Sequence, residues 1–216
     1  MKRYKLLIFD FDGTLAATEP AIQFCMKTAF TEYGLTPPAE DAVRRAIGIP
    51  LAEMIAYLGG LDKPTAEAVT DIYRKYYVKE GMELTALFPD SYATIEALHG
   101  RGYDLAVASN KKYEVVKASL EKTGLAPFFR FITGEGEGRF AKPDKRLFNN
   151  ILEPFFGIDR ADCLMIGDAV QDTGFALNCG MDAAWASYGF GSKSDCINPN
   201  VKYVIDNIGD LADILV

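Results

Sequence analysis

The sequence predicts an α/β protein: a parallel sheet buried on both faces, with a helical unit inserted after its first strand. Three observations carry this reading. Short apolar runs are continuous rather than alternating, as strands covered on both sides require. Helical spacings separate most of these runs, giving strand–helix–strand units with right-handed crossovers. Residues from about 16 to 84 break that rhythm, because only helical periodicity occurs there.

The first strand is read at Leu6–Phe9, four apolar residues that run into Asp10. Then Ile22, Cys25, Met26, Ala29, Phe30 and Tyr33 recur at steps of three and four, the mark of one helix face. Leu51, Met54, Ile55 and Leu58 repeat it, as do Val69, Ile72, Tyr73, Tyr76 and Tyr77, whose aromatic rings read as core packing. Gly34, Pro37-Pro38, Gly48, Pro50, Gly59-Gly60 and Pro64 punctuate these helices. The expected organisation is a core of residues 1–15 and 85–216 and a helical unit of 16–84. Within the core, Tyr92, Ile95 and Leu98 space a helix before a strand at Leu105–Ala108. Val115, Val116 and Leu120 space a second helix before a strand at Phe129–Ile132. Leu147, Phe148, Ile151 and Leu152 mark a third, followed by strands at Cys163–Ile166, Asp182–Ala186 and Tyr203–Ile205.

Composition sets outer bounds. A chain of 216 residues, 49% hydrophobic and 25% charged, fits one large domain or one carrying an insertion. Its net charge of −7 argues against nucleic acid or an anionic membrane surface as partner. That charge leaves a small anionic ligand open, since the charge of a site is local. Cys25, Cys163, Cys179 and Cys196 show no CxxC spacing, so neither a zinc cluster nor a redox pair is indicated. The basic stretch Met1 to Lys5 followed by Leu6–Phe9 stops at Asp10, short of the ~7–15 apolar residues of a signal peptide. The chain reads as a soluble cytoplasmic protein, monomer or homodimer.

Polar residues terminate the strands in a pattern. LLIFDFDGTL ends on Asp10 and Asp12; Asp-Gly also reads as a hairpin turn, but no second strand follows Leu15. DLAVAS ends at Ser109-Asn110, and CLMIGD ends at Gly167-Asp168 with Asp172 close behind. Lys142 precedes Pro143 in GRFAKPDKRLF, where it is expected to open a helix. Taken singly, Ser109-Asn110 reads as a helix N-cap, Asp168 and Asp172 as acids at a helix start, and Lys142 as a solvated lysine. Together they stand at the carboxyl ends of strands, where open α/β sheets bind ligands. His99, the sole histidine, precedes Gly100 near a helix end and reads as structural.

DFDGT, ASN, AKP and GDxxxD, in this order and at these separations, resemble the four motifs of the haloacid dehalogenase (HAD) superfamily of phosphatases and phosphotransferases. The resemblance spans 5–205 and is nearest the phosphoglycolate phosphatase-like branch. It implies a Rossmann-like parallel-sheet core with a C1 helical cap, matched here by position and helicity rather than by residue. Two departures, Lys145 where relatives often carry a second proline and Ala169 where many carry threonine, remove no catalytic group.

The implied activity is Mg²⁺-dependent hydrolysis of a small-molecule phosphomonoester through an aspartyl-phosphate. Asp10 is the expected nucleophile, and Asp12 the acid that protonates the departing alkoxide and later activates water. Thr14 is expected to hydrogen-bond the Asp12 carboxylate. Ser109 and the backbone N–H of Asn110 are expected to grip a phosphoryl oxygen where the next helix starts. Lys142 bridges phosphate and nucleophile. Gathered acids repel a phosphate unless a hard dication sits among them, expected on Asp10, the backbone carbonyl of Asp12, and Asp168. Asp172 then orients Lys142 or a metal-bound water. Dehalogenases and phosphonatases lack an acid at the position of Asp12, which points this chain to phosphate esters.

The enzymatic alternatives are a β-phosphoglucomutase-like phosphotransferase and a pyrophosphatase or 5′-nucleotidase of the same superfamily. A phospho-receiver domain is about half this length and lacks the inserted helices, and a ligand-binding pseudo-enzyme does not need the full catalytic set. In the cap, Glu19, Gln23, Arg44 and Arg45 are candidates to face the substrate; Arg44 and Arg45 read equally as cations for an anionic leaving group and as a solvated helix face. The loop from Tyr188 to Ser192 is a candidate to line the rim.

Overall fold

The protein is seen in a computed structural model that describes residues 4–136 and 138–215. The Met1–Arg3 portion of the stretch weighed as a leader lies outside them. The chain runs through β1 (Leu6–Phe9) and β2 (Ala16–Ala17) into α1 (Glu19–Tyr33), α2 (Glu40–Ala46), α3 (Leu51–Gly59) and α4 (Lys63–Lys79). It returns by β3 (Ala86–Leu87) to α5 (Ser91–Gly100), β4 (Asp104–Lys112), α6 (Tyr113–Lys122), β5 (Phe131–Glu135) and α7 (Glu153–Phe156). It closes with β6 (Cys163–Gly167), α8 (Val170–Cys179), β7 (Asp182–Ala186), α9 (Lys193–Cys196), β8 (Val201–Ile205) and α10 (Leu211–Ile214).

Six strands form a parallel sheet in the order β5-β4-β1-β6-β7-β8. The continuous apolar runs have a direct cause. Leu7 and Phe9 join Leu105, Val107, Leu164 and Ile166 on one face of the sheet. Leu6 and Ile8 join Ala106, Ala108, Cys163 and Met165 on the other. Both faces are covered by helices, so every residue of β1 is fully buried, each large side chain contributing about 1.5–3 kcal/mol. The chain leaves β1 toward β4 and leaves β6 toward β7, so the connections diverge between these neighbours. A crevice opens there at the strand ends.

The four helices α1–α4 share a separate apolar cluster that includes Met26, Phe30, Ile55, Val69, Tyr73 and Tyr77. Tyr33, expected on the buried face, is 42% exposed: it ends α1, and Gly34 at φ 85° turns the chain away. Asp62 caps α4 by accepting from the Thr65 N–H, with Pro64 in the first turn. The apolar pattern gives no hint of the antiparallel ribbon of β2 and β3, in which Ala16 pairs with Leu87 and Ala17 with Ala86. Both crossings between sheet and helices pass through it.

Three local expectations are corrected. Strand β4 does not stop at Ala108 but continues to Lys112, so Ser109 and Asn110 lie on the strand rather than at the start of α6. Strand β5 begins at Phe131, because a short turn through Pro127 uses up the preceding residues. Lys142 does not open a helix; it sits in a turn, its bond to Pro143 is cis, and helix begins only at Arg146. That helix widens to a π turn at Phe148–Leu152 just before Pro154, whose ring cannot fit a regular turn. Among the described residues no helix is long and apolar enough to cross a membrane.

Candidate active site

The site grows from the end of β1. Asp10 follows the strand, donates its N–H to Ile166 O on β6, and is 4% exposed. Lys142, on the turn after β5, places Nζ 3.0 Å from Asp10 Oδ1 and donates to Asp172 Oδ1 at 2.5 Å. Burial pushes the Asp10 carboxyl up to about 7, with Asp172 and Asp12 adding to the rise and Lys142 opposing it. Burial alone depresses the Lys142 ammonium, but Asp10 and Asp172 outweigh it and the net shift is upward. Asp172, at the start of α8, accepts the Ala169 N–H on its second oxygen. Both of its oxygens are therefore occupied.

Asp168 follows β6 and is held from two sides. Thr14 Oγ1 donates to Asp168 Oδ1 at 2.8 Å, and the Phe190 N–H donates to Oδ2 at 2.8 Å. The expected contact from Thr14 to Asp12 is thus replaced. Gly13, at φ 80°, reverses the chain and carries Thr14 inward beneath Asp168. The packing is tight enough that a Cβ on Gly13 would lie 2.3 Å from Asp168 Oδ2, and one on Gly189 would lie 2.2 Å from Asp168 Cβ. The Tyr188–Ser192 loop therefore does reach the rim, through its backbone. Burial, with Asp172 and Asp10 nearby, raises the Asp168 carboxyl well above the carboxylate range, against the donors Phe190 and Thr14.

Asp12 stands apart from these acids. Its two oxygens accept from Lys111 Nζ at 3.0 and 3.2 Å, so its closest charged neighbour is a cation. The Lys111 ammonium lies 4.1 Å from the Tyr77 ring centre, across from the sheet on α4. Sequence reasoning missed Lys111. It lies in ASNKK directly after the Ser109-Asn110 pair, on the last part of a strand that the apolar run ends at Ala108, so no pattern singled it out. Ser109 is 6% exposed and its Oγ accepts the Lys111 N–H at 3.3 Å. The Asn110 side chain accepts the Lys142 N–H at 2.8 Å and donates to the carbonyls of Lys142 and Gly48. Its amide therefore pins the lysine turn and reaches the helical unit.

Asp10, Asp12, Ser109, Asn110 and Lys111 open onto one cavity of about 60 Å³, roofed by Ile22, Ile47, Ile49, Leu51, Met54, Tyr73, Arg74 and Tyr77. The cap arginines named from sequence do not line it. Arg44 pairs with Glu19 and donates to Gly189 O at 3.0 Å, and Arg45 is exposed. Gln23 donates to Glu40 O. The cap cation at the cavity is Arg74, whose Nη2 donates to Glu135 Oε2 at 3.1 Å. No local pattern distinguishes it, since it sits on the polar side of an ordinary amphipathic helix. His99 is exposed, with its ring against Phe128.

Asp10, Asp168 and Asp172 each present a carboxylate oxygen, all within 4.8 Å of one another. Asp10 Oδ1 is buried, faces Lys142 and makes no aligned hydrogen bond. Hard oxygen donors crowded in this way, one still short of a partner, fit a divalent cation, and this cluster could bind one.

The haloacid dehalogenase-like hydrolase family matches residues 7–186. The chain belongs to this family. Among haloacid dehalogenase-like hydrolases it is 28% identical to the phosphoglycolate phosphatase of Vibrio cholerae, over 100% of this chain and 98% of that one. It is also 28% identical to the phosphoglycolate phosphatase of Rhodospirillum rubrum, over 97% and 90%. Among solved structures, a predicted phosphoglycolate phosphatase from Haemophilus somnus 129PT superposes with a TM-score of 0.89 at 25% identity, covering 99% of both chains. A predicted phosphatase from Clostridium acetobutylicum gives 0.88 at 26%, covering 98% and 97%. The sheet order and helical insertion are thus those of a HAD-like fold.

Proposed function

We propose that this phosphatase hydrolyses a small phosphomonoester, phosphoglycolate-like, through an aspartyl-phosphate on Asp10 with Mg²⁺ in the acid cluster. The observation that supports it most is the placing of Asp10: a buried carboxyl at a strand end, 3.0 Å from an ammonium and open to the same cavity as a second acid, Asp12. An Asp10 oxygen attacks phosphorus, and the ester oxygen leaves with a proton from Asp12. Asp12 then takes a proton from water, which attacks the phosphorus, releasing phosphate and restoring Asp10. Lys142 stays between Asp10 and Asp172 and draws a phosphoryl oxygen to the nucleophile. The Ser109 hydroxyl, which accepts from Lys111 N–H, keeps its own proton for a second phosphoryl oxygen. Asp10, Asp168 and the Asp12 carbonyl would hold a Mg²⁺ ion, which would supply neutralisation of the phosphoryl charge. Thr14 acts by fixing Asp168, and Asp172 by fixing Lys142.

In this reading residues 16–84 are the cap, closed on the core by Asn110 to Gly48, Arg74 to Glu135 and Arg44 to Gly189. Closure keeps water from the site until the leaving group departs. The buried free cysteines are those of a protein kept in a reducing cytoplasm. The test is phosphate release with Mg²⁺ from a panel of phosphoglycolate, hexose phosphates, nucleoside monophosphates and pyrophosphate. Release from a small phosphomonoester supports the reading. Turnover confined to sugar phosphate isomerisation, to pyrophosphate or to nucleotides assigns the chain to one of the alternatives.

A further inference from the structure

Asp12 is the acid of this scheme, yet the side chain expected to hold its carboxyl group is turned elsewhere, since Thr14 donates to Asp168. Among the described residues, the hydrogen bonds to the Asp12 carboxylate come from Lys111 alone, at 3.0 Å to Oδ1 and 3.2 Å to Oδ2. We propose that Lys111 is a positioning residue for the general acid: it aims the Asp12 carboxyl at the leaving oxygen and is itself seated by Tyr77 of the cap. This rests on the phosphatase reading and adds a residue to its first step.

The strand is shaped to deliver this lysine. β4 pairs with β5 in register from Ala106 to Ala108, and pairing resumes out of step at Lys112 with Glu135, so residues 109–111 bulge. A bulge re-aims side chains and is found beside active sites for that reason. This one needs a glycine opposite: a Cβ on Gly134 would stand 2.5 Å from Lys111 O. Ser109 Oγ accepts the Lys111 N–H at 3.3 Å and closes the bend. The side chains that meet are 10% exposed for Lys111 and 13% for Asp12. The cap completes the seat. Tyr77, on α4, lays its ring centre 4.1 Å from the ammonium, an attraction that strengthens where water is excluded. That ring is fixed in turn: it stacks on Tyr73, and its hydroxyl meets Thr85 Oγ1 at 3.0 Å, on the return from the cap to β3. Lys111 is therefore gripped between sheet and cap, and Asp12 with it.

As the acid, Asp12 carries its proton on one oxygen while the ammonium keeps the other, so the proton-bearing oxygen has a fixed aim. Asp10 forms its bond to phosphorus as the ester oxygen takes the electron pair of the breaking P–O bond and the proton of Asp12. Lys111 keeps its own protons throughout. It then faces a carboxylate and offers it two charge-assisted contacts. A neutral side chain at this position provides neither the aim nor the contacts.

The test compares ethyl phosphate, whose alkoxide needs a proton to leave, with acetyl phosphate, whose acetate does not, by phosphate release with Mg²⁺. Lys111→Met should lower kcat for ethyl phosphate roughly 10-fold more than for acetyl phosphate, as a misaimed catalytic group does, with KM little changed for either. In an Asp12→Ala background the same substitution should add nothing to the ethyl phosphate loss, because residues that act as a unit are not additive. Tyr77→Leu, which keeps both Lys111 and Asp12, should give a smaller loss of the same kind. The proposal is overturned if Lys111→Met slows both substrates equally, acts through KM, or adds its full cost to that of Asp12→Ala. Should Lys111→Met fail to fold, Tyr77→Leu carries the test: a loss confined to ethyl phosphate supports the proposal, and equal losses or none overturn it. Asp12→Ala that costs both substrates equally removes the acid assignment, and wild type that hydrolyses neither removes the phosphatase reading, each taking this inference with it. A contrast seen with Asp12→Ala and absent with Lys111→Met removes this inference alone.

Discussion

Lys142 Nζ donates to Asp172 Oδ1 at 2.5 Å, and both side chains are 1% exposed. Taking two such charges out of water is repaid only by their mutual attraction and by further hydrogen bonds, and removing one partner strands the other. Asp172→Ala should therefore destabilise the protein by about 2–4 kcal/mol, toward the low end for a broken buried pair because Asp10 still faces the ammonium. Chemical denaturation checks this, and an unchanged midpoint would mean that Asp10 alone suffices for Lys142.

The acid cluster makes stability depend on pH in a specific direction. Burial raises Asp10 from an ordinary 3.8 to about 7, and raises Asp168 as well. A carboxyl with a raised folded-state pKa binds more protons folded than unfolded across that window, so its contribution is present at low pH and is lost as pH rises toward 7. In chelator, the melting temperature should rise as pH is lowered from 8 to about 5.5, and Asp10→Asn should flatten the slope. Equal slopes in the two proteins would exclude Asp10 as the source. At pH 8, Mg²⁺ should recover the lost stability by binding the ionised cluster.

Gly189 offers a probe of the Asp168 pocket that removes no functional group. Its backbone is compatible with alanine, but the added Cβ would lie 2.2 Å from Asp168 Cβ. Gly189→Ala should shift Asp168 and weaken Mg²⁺ affinity by roughly tenfold or more, as losing the support of a metal ligand does. Calorimetric titration reads the effect, and unaltered affinity would place the cation elsewhere.

These residues also show what was legible in sequence. The six strands were readable because burial on both faces forces unbroken apolar runs, as Leu6–Phe9 and Cys163–Gly167 display. Asp10 and Asp168 were legible because strand ends converge on one rim, whereas Lys142, in a turn, was marked only by the AKP motif and not by its own local pattern. The direction of Thr14 was not, since it depends on the Gly13 reversal and on a partner far along the chain, Asp168. Lys111 and Arg74 were hidden for the same reason: the cavity that gives them meaning forms only when α4 lies over β4. Of the two readings open for Arg44 neither was decidable from its helix, because Gly189 O, far along the chain, engages it together with Glu19.

Asp12 should reveal its role through the leaving group. Nitrophenolate departs without a proton and an alkoxide does not, so Asp12→Ala should cost alkyl phosphates roughly 100-fold more than p-nitrophenyl phosphate, within the span of general acid catalysis. Equal losses on the two substrates, measured as kcat, would remove Asp12 as the acid.

Nucleophilic attack by Asp10 admits the most direct measurement: turnover of p-nitrophenyl phosphate with Mg²⁺ by wild type and by Asp10→Asn, with thermal unfolding of both recorded alongside. The amide keeps the size of the side chain but cannot form the acyl phosphate. The expected result is release at the uncatalysed background from a variant that still unfolds cooperatively. Turnover at the wild-type rate from that folded variant would contradict attack by Asp10.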